Sequence, residues 1–113
     1  MREPLDDLQP RWLIELFLPT TSNGGTPFAR EMFDRVRDEL LQAFGGVTLF
    51  SRSPAEGLWA AGRGEGTARD RVITAEVMAD GVDRDWWARY RRDLEARFSQ
   101  EEILIRCYRI WTL

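Results

Sequence analysis

The chain has 113 residues, is 43% hydrophobic and 31% charged, and carries a net charge of −3. Arginine supplies all sixteen basic side chains: there is no lysine, no histidine and a single cysteine, Cys107. That composition excludes Schiff-base and pyridoxal chemistry, the lysine of a phosphate-binding loop, histidine acid–base catalysis and any metal site built on histidine or several cysteines, so no cofactor and no metal is expected.

An all-arginine basic set is also what a GC-rich genome writes, because most arginine codons are GC-rich. The length suits one domain able to bury a proper core. The acidic balance sets up no field that would gather nucleic acid or an anionic membrane. Residues Met1 to Asp7 show no apolar signal core, and no segment approaches membrane-spanning length. The expectation is a cytoplasmic protein of bacterial type, with residues 1–10 as a loose lead and 11–113 as a single domain.

Trp12 to Leu18 is a short apolar run between Pro10 and Pro19 and reads as a central strand. Thr20 to Thr26 carries Asn23-Gly24-Gly25 and reads as a loop. A helix is expected next, capped by Thr26, with Pro27 in its first turn and Gly45 as its left-handed stop. Phe28, Met32, Val36 and Leu40 give it one apolar face, and Glu31 and Arg35 are spaced to pair on the other.

Val47 to Arg52 and Arg71 to Ala79 read as the second and third strands. Ser53 to Asp70 between them reads as a hairpin, kinked near Pro54 and tipped by Gly62-Arg63-Gly64-Glu65-Gly66. Those glycines are no phosphate cradle, because a strand rather than a helix follows them. Asp83 caps a second helix over about 84–99, with Trp87 turned inward and Trp86 as a partial cover. Asp85–Arg89 and Asp93–Arg97 are spaced for pairing. The last strand is Ile103 to Ile110, in which Cys107 is expected as a buried thiol.

The resulting order, β-α-β-β-α-β, resembles the ferredoxin-like α+β sandwich: a four-stranded antiparallel sheet with two helices on one face. Gly45-Gly46-Val47-Thr48 followed by Gly57-Leu58-Trp59 is similar to small bacterial domains that bring no activity to carry over. Strand alternation puts Leu13, Glu15, Phe17, Thr48, Phe50, Arg52, Thr74, Glu76, Met78, Leu104, Arg106 and Tyr108 on the face the helices leave open. In the ferredoxin-like order Glu15 is expected opposite Arg106, and Glu76 opposite Arg52.

Three readings of that face stand. It is a homodimer interface, as in the dimeric α+β-barrel proteins that share this topology, because its apolar groups are too many to leave wet. It lines a pocket in which Arg52 and Arg106 grip a small anionic ligand, with Glu56 and Trp59 of the hairpin beside it. Or a terminal segment of the same chain covers it. Glu15 and Glu76 are the only carboxylates placed for paired acid–base work, and a metal-independent enzyme using them with arginines is the alternative function. An RNA-recognition domain shares the topology, but the third strand offers no stacking aromatic to the open face, which argues against nucleic acid.

Overall fold

The computed structural model describes residues 8–52 and 72–113, residue 52 through its backbone alone. The hairpin expected between the second and third strands, with Pro54, Glu56, Trp59 and the glycine-rich tip, therefore lies outside the described residues. Six elements run in the order β1 (Gln9–Pro19), α1 (Arg30–Phe44), β2 (Thr48–Arg52), β3 (Val72–Ala79), α2 (Arg84–Arg97) and β4 (Ile105–Thr112). The strands form one antiparallel sheet in the spatial order β2-β3-β1-β4. This is the ferredoxin-like α+β fold.

β1 is longer than the apolar run, because Gln9 pairs with Thr112 and Pro19 with Val72. Pro10 is tolerated at a ladder position. The Phe17 N–H donates to the Leu104 oxygen at 3.0 Å, and alternation from there leaves Pro10 without a bond to make to β4. Its missing N–H faces the other side, where β3 has already ended at Ala79, the partner of Trp12.

α1 starts at Arg30, later than expected, with Ala29 at the cap position and no side chain capping it. Thr26 and Pro27 belong to the preceding loop instead. Ser22 Oγ accepts the Thr26 N–H at 3.2 Å, the Ser22 N–H donates to the Thr26 oxygen at 2.7 Å, and Thr21 bridges Pro27. Those backbone groups are already used, so the helix cannot begin there. Gly45 ends α1 as expected: its φ of 82° lets its N–H reach the Leu41 oxygen at 2.7 Å. Asp83 caps α2 through Oδ1, which accepts the Trp86 N–H at 3.1 Å.

The core lies between the helices and one sheet face: Ile14, Leu16 and Leu18 of β1, Ala75 and Val77 of β3, Val36 and Leu40 of α1, and Trp87, Tyr90 and Leu94 of α2, closed by Phe98. Trp87 is buried and Trp86 half-buried. Their rings meet edge to face with centroids 4.8 Å apart, while Phe44 stacks on Trp87 at 5.3 Å.

The helices are also clasped by charge. Tyr90 donates its hydroxyl to Glu39 Oε1 at 2.8 Å. Arg97 Nη2 donates to Glu39 Oε2 at 2.8 Å and to Asp93 at 2.7 Å. Arg35 turns to Glu39 at 3.2 Å rather than to Glu31, and Asp85 and Arg89 form no ion pair among the described residues.

β4 begins two residues later than expected. Ile103 is buried ahead of it, with its N–H donated to Glu95 Oε2 at 3.1 Å. Cys107 is exposed, not buried. It does sit on the helix side of the sheet, opposite Ile14, but β4 is an edge strand and an open groove lies between Cys107 and α2. Among the described residues no helix is long and apolar enough to cross a membrane.

Candidate functional site

Pairing register sorts the open face into cross-strand rows. One is charged: Thr48, Glu76, Glu15 and Arg106 stand side by side across β2, β3, β1 and β4. On one flank lies the apolar row Met78, Leu13, Tyr108, and on the other the row Phe50, Thr74, Phe17. The two flanks differ sharply in exposure. Phe17 and Thr74 are buried, whereas Met78 is 45% and Tyr108 43% exposed. The face is thus closed at its β2 end and open around Leu13, so the wet apolar patch is narrower than the alternation pattern alone predicts.

Glu15 is the centre of the charged row and is 3% exposed. Its Oε1 accepts the Arg106 Nε–H at 2.8 Å, and its Oε2 accepts the Tyr108 hydroxyl at 3.3 Å. Glu76 stands directly opposite it in the β1–β3 register. Burial pushes the Glu15 carboxyl up, but the Arg106 hydrogen bond, the neighbouring Glu76, the Arg106 charge and the Tyr108 hydroxyl outweigh it, and the group lies below its ordinary value. Burial beside the Glu15 charge raises the Tyr108 phenol in turn. The Arg106 guanidinium also lies 5.2 Å from the centroid of the Phe17 ring, which fixes its direction. Its Nε is committed to Glu15, and its two terminal nitrogens have no acceptor among the described residues.

The structure therefore brings together Glu15, Glu76 and Arg106, and it confirms Glu15 opposite Arg106. Arg52 pairs with Val72, whereas Glu76 pairs with Thr48, a displacement of four residues or about 13 Å along the strand. The expected register is corrected accordingly: Thr48, not Arg52, stands directly opposite Glu76 on β2, and the Arg52 side chain lies outside the described residues. The cause is the register of β2, which places Thr48 rather than Arg52 beside the charged row. Glu56 and Trp59 lie outside the described residues.

Two contributors escaped the sequence reading. Tyr108 acts through its hydroxyl, not only its ring, which no spacing reveals until the β1–β4 register is known. Thr74 is wholly buried between Phe17 and Phe50, and its Oγ1 has no hydrogen-bond partner among the described residues. Arg11 extends the face beyond the apolar row, with its Nε 3.3 Å from Asp80.

Replacing Arg106 with leucine leaves the Glu15 carboxylate buried without its cation. The expected loss is about 1–2 kcal/mol, reduced from the value for a dry pair because Arg106 is 41% exposed. Urea denaturation checks it, and the double variant Arg106→Leu with Glu15→Gln should recover most of the loss.

No protein-family model matches this chain, and no curated protein matches it either.

Proposed function

We propose that this domain self-associates as a homodimer through the open face of its sheet, in the manner of dimeric α+β-barrel proteins, and holds a small anionic ligand at Arg106 beside the contact. The observation that carries this reading is the single row Met78–Leu13–Tyr108, whose two outer members are 45% and 43% exposed on the same side of the sheet. A second copy is the occupant that fits. Two of the charged pairs on this face are internally matched, Glu15 with Arg106 and Arg11 with Asp80, which weakens the field that would repel its own copy. A symmetric contact needs a self-complementary patch, and an apolar row flanked by neutralised charges is one. Arg106 keeps its terminal nitrogens for an anion while its Nε stays on Glu15, the geometry of a partly committed guanidinium fork.

Sedimentation equilibrium tests the association. The native chain should be a dimer at micromolar concentration, and Leu13→Asp, which sets a charge in the middle of the apolar row, should shift it to monomer by at least roughly tenfold in Kd. A native chain that is monomeric throughout that range ends this reading.

A second reading, a metal-independent enzyme, rests on one specific juxtaposition. The Glu15 and Glu76 carboxyl groups are directly opposite each other in the β1–β3 register. Arg106 and Tyr108 hold Glu15 in its charged form, as a base beside the second carboxyl group. Under this reading Glu76→Gln abolishes turnover, whereas under the binding reading it leaves ligand affinity nearly unchanged.

A further inference from the structure

The opposite side of β4 borders a groove that none of these roles uses. Arg84, Ala88 and Arg91 of α2 stand at i, i+4 and i+7, which places them on one helix face. Facing them are Ile105 and Cys107 of β4, with Ile14 of β1 and Trp87 beneath and Val82 at one end. These residues line a cavity of about 340 Å³, within the size range of small-ligand sites. Ala88 keeps it open, because any larger side chain at that position would project into the space.

Its chemistry is unlike that of the open face. The floor is apolar, with Ile14 at 1% and Trp87 at 8% exposure. Arg106 also borders it, but its guanidinium is held by Glu15 on the other side of the sheet. Among the described residues no carboxylate lines the groove. Arg84 has no ion pair among the described residues. Arg91 is only loosely engaged: its Nε is 3.8 Å from Glu95 Oε2, an oxygen that already accepts the Ile103 N–H. Two guanidiniums thus stand over an apolar floor, in a chain whose net charge is negative.

We propose that this groove binds a small amphiphilic carboxylate. Its headgroup lies between Arg84 and Arg91, and its hydrocarbon body lies over Ile14, Trp87 and Ile105. Charge complementarity selects the anion, and Arg84 and Arg91 offer it planar forks that suit a carboxylate. The apolar floor selects the body, because a fully hydrated anion would leave that surface wet. The site is independent of the homodimer contact, which uses the other face of the sheet.

Cys107 supplies the readout, being the sole cysteine of the chain, exposed and part of the groove wall. The experiment follows alkylation of Cys107 by iodoacetamide while octanoate is titrated to about 10 mM, with 1-octanol as the uncharged control. Octanoate should slow alkylation saturably, and 1-octanol should do so far less. The double variant Arg84→Ala with Arg91→Ala should need roughly tenfold more octanoate for the same protection. Ala88→Trp, which fills the cavity, should remove the octanoate dependence, and Leu13→Asp on the opposite face should leave it intact. The proposal is overturned if octanoate does not slow alkylation, if 1-octanol protects equally, or if the double arginine variant is protected like the native chain.

Discussion

Replacing Glu39 with alanine is expected to cost about 2–4 kcal/mol of folding stability, more than any single surface ion pair supplies. Glu39 is the shared acceptor of the clasp between α1 and α2, bonded by the Tyr90 hydroxyl, by Arg97 and by Arg35. The Arg97 side chain is only 12% exposed, and its Nε and Nη1 are buried without a hydrogen-bond partner among the described residues. Losing Glu39 leaves that guanidinium with Asp93 alone. Chemical denaturation checks the loss, and Arg97→Met added to Glu39→Ala should recover part of it by removing the stranded cation. A loss below about 0.5 kcal/mol would mean that the clasp behaves as an ordinary exposed pair.

The same clasp sets a pH dependence. Burial raises the Glu39 carboxyl, and the hydrogen bonds from Arg97 and Tyr90, the Arg97 charge and the Arg35 contact more than reverse it, so the group lies below the ordinary 4.5. A carboxyl lowered on folding contributes stability that is full above its unfolded value and is lost as pH falls through the folded one. Glu15 is displaced in the same direction. Stability should therefore fall as the solution is taken from pH 6 to pH 3, and less steeply in Glu39→Ala.

Phe98→Ala should be still more damaging, at about 3–5 kcal/mol. Phe98 is fully buried and meets two other rings, Phe28 edge-on at 5.1 Å and Phe33 at 5.5 Å. It ties the loop before α1, the body of α1 and the end of α2 into one packed unit, so the space left by the ring cannot collapse without moving all three. Urea denaturation with an unchanged slope reads the loss directly. As a contrast, Leu41→Ala, at a residue 47% exposed, should change stability by less than about 0.5 kcal/mol.

Much of this architecture was legible from periodicity and punctuation. The apolar run around Ile14, the Asp83 cap, the Gly45 stop and the inward Trp87 all follow from local rules, and together they specify the order β-α-β-β-α-β. Local rules failed where backbone groups had another partner: Thr26 reads as a cap, yet the loop from Thr20 to Phe28 uses its carbonyl to accept the Ser22 N–H. They failed again for Cys107, because an alternating pattern says which face a residue takes but not whether a helix reaches far enough to cover it. At the site, Glu15 and Arg106 were readable as a pair because β1 and β4 are long strands whose pairing runs over many residues and holds its register. Glu76 and Arg52 were not, because a short strand leaves register undetermined and a shift of four residues preserves every side-chain face.

The position of β1 in the sheet bears on how the chain reaches this state. β1 lies between β3 and β4, so both its neighbours come from the far part of the sequence, and Gln9 has to wait for Thr112. Pairings of such separation form slowly, and until they form the run from Trp12 to Leu18 is a bare, apolar, β-prone segment of the sort that joins with other chains. Glu15 is its only charge. The carboxylate that ends up buried under Arg106 and Tyr108 thus guards the nascent chain against aggregation before its partners arrive.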